Sequence, residues 1–180
     1  MNDARDRDRD QERRRGQERE RQVEAERRAV ERPCVRAAAE RDAEAVLAFW
    51  RVAAEGVSVT DDLDGVRRLI ARDPEALLLA EQGGELVGTV IAGFDGWRCH
   101  LYRLAVLPER RRQGVARALL GAAERRFARL GGRRADAMVL TRNEAAHRVW
   151  ESAGYREQEE WRRWVRPLPR QADGAGDEFA

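Results

Sequence analysis

Residues 101–120 read LYRLAVLPERRRQGVARALL. Residues 101–106 are an apolar run of strand length, Pro108 marks the exit, an arginine-rich loop follows, and a helical pattern begins near Gly114. That order places free backbone N–H groups at the start of a helix, where the positive end of the helix dipole also lies. Gly114 has no side chain to hold an anion off the backbone, and Ala116 is nearly as small. A pyrophosphate can therefore lie on the amides of Arg112, Gln113, Gly114, Val115, Ala116 and Arg117. Arg110, Arg111 and Arg112 add forked donors suited to phosphate oxygens. An ordinary solvated strand-to-helix connection looks similar, so the rest of the chain has to decide.

The chain has 180 residues, enough for one domain with a real core. Charged residues make up 38% of it, yet the net charge is only +2, which removes the global basic field that would make nucleic acid the default partner. No apolar run reaches the length of a membrane span, and the first residues are charged where a signal peptide would be apolar, so a cytoplasmic protein is expected. Cys34 and Cys99 have no metal-ligand spacing and read as free thiols used in packing. Every basic residue is arginine, which fits codon bias and leaves no lysine side chain to modify. Residues 1–32 are almost wholly Arg, Asp, Glu and Gln; they are expected to be a disordered charged extension, too evenly balanced to serve as a nucleic-acid arm. A domain over 33–166 and a flexible tail over 167–180 complete the expected organisation.

Within that domain, residues 34–36 read as a short strand. Residues 40–55 form an amphipathic helix, with Ala43, Val46, Leu47 and Trp50 on one face and Gly56 at its end. Asp61 or Asp62 can cap a second helix carrying Leu63, Val66, Leu69 and Ile70, which must stop by Pro74. Residues 76–81 and 86–94, split by Gly83 and Gly84, read as a hairpin; Asp95 and Gly96 turn the chain into a third antiparallel strand over 97–106. A helix over 114–130 should bury Val115, Ala118, Leu119, Ala122 and Phe127. Residues 135–140 read as a strand, and Asn143 caps a helix with Ala146, Val149 and Trp150 on its face that ends at Gly154. Tyr155 is expected to open another strand, with residues 161–165 (WRRWV) as its antiparallel partner. The fold class is α+β around one mixed sheet.

In this order of parts the chain resembles the GNAT superfamily of acyl-CoA-dependent N-acyltransferases over residues 33 to about 166. Leu104, Ala105, Val106 and Pro108, followed by Arg111, Gly114 and Ala116, are similar to the family's pyrophosphate-binding motif, with alanine in place of the usual second glycine. Asn143, Ala146, Trp150, Gly154 and Tyr155 follow its later N-x-x-A-x-x-x-[YW]-x-x-x-G-[FY] pattern, and GTVIAGFDG is like the hairpin of small bacterial members. The resemblance implies a mostly antiparallel central sheet flanked by helices, with strands 4 and 5 splayed into an acyl-CoA cleft. It further implies acetyl-CoA as cosubstrate and a primary amine as acceptor, on a small molecule or a protein. Leu104, Ala105 and Val106 would pair with the pantetheine like an added strand, residues 111–117 would hold the pyrophosphate, and Asn143 and Trp150 would lie near the pantetheine arm. A backbone N–H at Val106 would face the developing oxyanion. Neither membrane nor nucleic acid is an expected partner, and whether two copies pair is left open.

The proton chemistry is less plain. Many relatives use a tyrosine acid at the position of Trp150, whose indole N–H has no useful acidity. The glutamate of ribosomal-protein-acetylating relatives aligns with Met138, and that of histone-acetylating relatives with His100. His100 can relay a proton near neutral pH, and Tyr102 lies on the same strand face by period two; these are the catalytic candidates, against the plainer alternative of structural side chains. Glu81 and Asp95 are explained by a strand end and a turn, and His147 by simple exposure. A chain keeping the phosphate loop without the usual tyrosine and glutamate also suits a non-catalytic acyl-CoA-binding or sensing module.

Overall fold

The computed structural model describes residues 32–56, 58–166 and 168. The expected charged extension and tail thus fall outside the described residues, Arg32 and Leu168 apart. In chain order the elements are β1 (Cys34–Ala37), a 3-10 turn (Glu40–Asp42), α1 (Ala43–Ala53), α2 (Leu63–Arg72), β2 (Leu77–Gln82), β3 (Glu85–Phe94), β4 (Cys99–Val106), a second 3-10 turn (Pro108–Arg110), α3 (Val115–Arg129), β5 (Ala135–Ala137) and α4 (Glu144–Ser152). The strands lie in the order β1-β2-β3-β4-β5. All neighbours are antiparallel except β4 and β5, which are parallel.

The sheet is covered on both faces, which is why β2 reads as an unbroken apolar run instead of an alternating one. Leu77 and Leu79 pack with Val46, Trp50, Val66 and Ile70 under α1 and α2. Leu78 and Ala80 point the other way, joining Val87, Val90, Leu101, Leu119 and Phe127 under α3, with Trp150 of α4 at the margin. Gly88 lets α3 lie close: a Cβ there would come within 2.7 Å of Val115 Cγ1 and 3.0 Å of Leu119 Cδ1. On α3, Leu120, Ala123 and Arg126 are buried where Ala118 and Ala122, expected inside, are only partly covered. Arg126 is tolerated there because its guanidinium reaches the Asp73 carboxylate at 2.6 Å.

Two expectations fail at the C-terminal end. Strand β5 has three residues, not six, and the strands expected at Tyr155 and over 161–165 are absent among the described residues. The Tyr155 N–H turns back to Trp150 O (3.0 Å), closing α4 after Gly154 (φ 88°) instead of entering a ladder. Beyond it the charged run 156–160 offers nothing to bury, and Trp161 and Trp164 stand exposed. No helix among the described residues is long and apolar enough to cross a membrane.

Candidate active site

The site is a gap in the sheet. Strands β4 and β5 pair only at Cys99↔Ala135, His100↔Asp136 and Leu101↔Ala137, then part. The cause lies in β4, which carries one extra residue between Tyr102, opposite Ile91, and Ala105, opposite Thr89. Arg103 takes up the bulge with φ 50°. The buried Thr89 hydroxyl donates to Arg103 O (3.0 Å) and accepts from Trp50 Nε1 (2.9 Å), so the distortion is fixed from beneath. Past the bulge, the Leu107 N–H bonds Val87 O (3.1 Å) and Val106 faces Gly88. Ladder alternation therefore turns the N–H and C=O of Val106 away from β3, into the gap. The resulting cleft, about 1970 Å³, has room for more than one small ligand and is lined by residues from both sides of the sheet.

On the α3 face the cleft ends at the expected anion loop. Gly114 is the N-cap of α3 at φ 83°, and Arg112 is also left-handed at φ 65°. No side chain caps α3 and its first turn holds no acid, whereas Asp62 caps α2 and Asn143 caps α4. The first-turn amides of Val115, Ala116 and Arg117 are thus left for a ligand. A Cβ on Gly114 would meet nothing, so glycine is needed there for its backbone angle, not for space. The loop arginines divide. Arg110 is held by Glu85 (3.1 Å), and Arg111 Nε donates to Val106 O (3.3 Å). Gln113, which does not line the cleft, donates its side-chain amide to Glu109 O (2.9 Å). Arg112 and Arg117 line the cleft and pair with no carboxylate among the described residues. Leu104, Ala105, Asn143 and Trp150 also line it. Asn143 Oδ1 accepts from the Ala146 N–H (2.9 Å), and its amide nitrogen has no partner among the described residues, while Trp150 is buried edge-on against Tyr155, with ring centres 4.9 Å apart.

The opposite face carries the remaining candidates, and they do not converge equally. Tyr102 lines the cleft; burial pushes its phenol above the ordinary tyrosine range, partly offset by nearby Arg163. His100 does not line it. It stacks behind Tyr102 at 6.0 Å, with Nε2 3.5 Å from Asp95 Oδ2. Asp95 is in turn held below the usual carboxylate range by the Arg98 and Trp97 amides of the β3–β4 turn. Tyr155, pushed up to about 12 by burial and then by Glu124, is too weak an acid to give up a proton near neutral pH. Met138 stands exposed in the cleft wall.

Sequence reasoning missed one constellation. Arg103 reaches from the bulge to Asp61 through both Nε (2.9 Å) and a terminal nitrogen, donates to Gly56 O (3.0 Å), and lies 5.6 Å over the Trp50 ring. It ties the α1–α2 connection to β4. The available signal was a lone arginine interrupting the apolar run of residues 101–106.

A parted β4–β5 pair beside an uncapped glycine-led helix is an architecture with relatives. The model of the acetyltransferase (GNAT) family matches residues 45–155. The chain belongs to the GNAT family of N-acetyltransferases. An acetyltransferase of Pectobacterium atrosepticum is 32% identical over 121 residues, 67% of this chain and 86% of that protein. Among solved GNAT structures, the PaiA N-acetyltransferase of Thermoplasma acidophilum in complex with coenzyme A superposes with a TM-score of 0.64 at 17% identity, covering 71% of this chain and 91% of that one. AAC(6')-Iy, in complex with the bisubstrate analogue CoA-S-monomethyl-acetylneamine, gives 0.63 at 19% identity, covering 76% and 99%. The last two likenesses are of fold.

Proposed function

We propose that this GNAT protein transfers an acetyl group from acetyl-CoA directly to a primary amine of a small molecule or protein, and that residues 33–166 suffice for it. One observation carries this reading: the same cleft is lined by the uncapped first turn of α3 at Val115, Ala116 and Arg117, by Val106 with its N–H turned from β3, and by Asp61 and Tyr102 on the far side of the sheet. The first-turn amides, with Arg112 and Arg117, suit the pyrophosphate; Leu104, Ala105 and Val106 suit a pantetheine laid along the strand edge. Bound there, acetyl-CoA supplies an activated acetyl thioester. The Val106 N–H offers a fixed donor for the acyl oxygen. Of the hydroxyl side chains in the cleft walls, Tyr102 alone stands on β4, where its phenol can hand a proton to the departing thiolate and be restored by the proton that the attacking amine gives up. Trp150 walls the cofactor side, and His100 supports Tyr102 from behind.

Calorimetric titration of acetyl-CoA, CoA and ADP, followed by CoA release with a panel of amines, tests the reading. All three ligands should bind and an amine should release CoA. Gly114→Glu, which sets a charged side chain at a left-handed position beside the anion loop, should abolish binding. Tyr102→Phe should lower kcat by at least about tenfold with acetyl-CoA affinity unchanged. Binding without CoA release from any amine would leave a cofactor-binding module and overturn transfer.

A further inference from the structure

The half of the cleft away from α3 has an unusual wall. Val59, Tyr102, Met138 and Leu140 are large apolar side chains, each more than a third exposed, and all four line it. Two of them meet the same short segment: Leu140 Cδ1 lies 3.6 Å from where a Cβ of Gly56 would sit, and the Gly56 carbonyl is bonded to Arg103, the neighbour of Tyr102 in sequence. Apolar side chains gathered in a concave wall mark a surface that is covered in use.

The charged side chains that line this half cancel. Asp61 is its inner carboxylate, and Arg103 holds both of its oxygens, with the two side chains only 13% and 15% exposed. Glu55 and Arg163 remain, exposed at the rim and opposite in sign. A polycation entering here would find no free inner carboxylate and would lose hydration against an apolar surface. An amine on an apolar body would cover that surface and present its nitrogen to β4.

The geometry points to an acceptor whose primary amine is carried on an apolar, aromatic or aliphatic body, with Arg103 as the positioning residue that masks Asp61 and so excludes polycations. This assignment rests on the transfer activity proposed for the same cleft. Selectivity of this kind works by rejecting the wrong charge as much as by fitting the right shape.

The experiment compares kcat/KM at saturating acetyl-CoA for phenethylamine, a short peptide beginning with phenylalanine, and spermidine. One or both apolar amines should exceed spermidine by about tenfold or more, and which of the two leads separates a free amine from a peptide N-terminus. Arg103→Ala should free Asp61 and raise the spermidine-to-phenethylamine ratio about tenfold, while Arg103→Lys, which keeps the masking charge, should stay near wild type. Because Arg103 also braces the bulge, acetyl-CoA affinity is measured alongside. Leu140→Glu, a change on the exposed wall, should move the same ratio in the same direction. Spermidine ahead in the wild type, or a ratio unmoved by both Arg103→Ala and Leu140→Glu, overturns the acceptor class and leaves transfer standing. No CoA release with any amine overturns both.

Discussion

Thr89 shows how a single hydroxyl shapes the site. It is fully buried, accepts from the Trp50 indole and donates to the carbonyl of Arg103, the residue that forces β4 away from β5. Valine has nearly the same shape and neither capability. Thr89→Val would leave a buried indole N–H and a strained carbonyl without partners, a loss of about 1–3 kcal/mol. A urea titration should show the midpoint falling with the slope unchanged. Since the bulge relaxes when its anchor goes, acetyl-CoA affinity should weaken as well. Stability and affinity both at wild-type values would mean that the backbone holds the bulge unaided.

At the scale of elements, the placement of α3 on β3 decides where the anion loop sits. Gly88 makes that contact possible, and Val115, directly after the Gly114 N-cap, is the side chain it admits. Gly88→Ala should push the first turn of α3 outward, cost about 1–3 kcal/mol through overpacking, and weaken acetyl-CoA binding, whereas the equally buried Ala92→Gly should spare binding. Calorimetry on both variants separates the two effects. A different device holds the far edge: Arg36 of β1 bonds Asp42 of the 3-10 turn (2.7 and 3.0 Å) and Glu81 of β2 (2.6 and 2.9 Å). The guanidinium keeps the Asp42 carboxyl below the usual carboxylate range. A depressed folded-state pKa adds stability above the unfolded value and loses it as pH falls through the folded one. Wild type should therefore exceed Asp42→Asn in urea midpoint at neutral pH, and the gap should close below about pH 4. A gap independent of pH would show that the asparagine acts through packing. These elements also show what a sequence can reveal. Strands β2, β3 and β4 are legible because glycine turns bracket continuous apolar runs, and Gly114 and Asn143 because helix starts obey local rules. The shortness of β5 is not local: residues 135–140 suit a strand, and they lose their partner only because β4 bends away at Arg103. Arg103 and Asp61 are 42 residues apart, and no period connects them.

Over the whole molecule, 35 arginines face 33 carboxylates, close to neutrality, so composition alone gives no reason to expect an anion site. Folding makes the distribution uneven. Away from the cleft, Arg36, Arg126, Arg129 and Arg134 meet carboxylates. In the cleft, eight arginines stand against Glu55, Asp61 and Glu124; Arg103 is matched by Asp61, Arg110 by Glu85 and Arg148 by Glu144, which still leaves five arginines against two carboxylates. A concave wall with a net positive charge concentrates anions by its field before any contact forms, and mobile salt screens that field. Raising sodium chloride from about 50 mM to about 500 mM should therefore weaken acetyl-CoA by roughly tenfold. ADP should follow the same slope, because it keeps the pyrophosphate and discards the pantetheine. The KM of an acceptor amine on an apolar body should change far less, since the wall it meets carries no net charge. An acetyl-CoA affinity flat with salt would place binding in the pantetheine contacts along Leu104, Ala105 and Val106 instead of the arginine loop. An acceptor KM that rose as steeply as the cofactor Kd would mean that the two halves of the cleft share one field, and that Arg103 does not isolate the acceptor side.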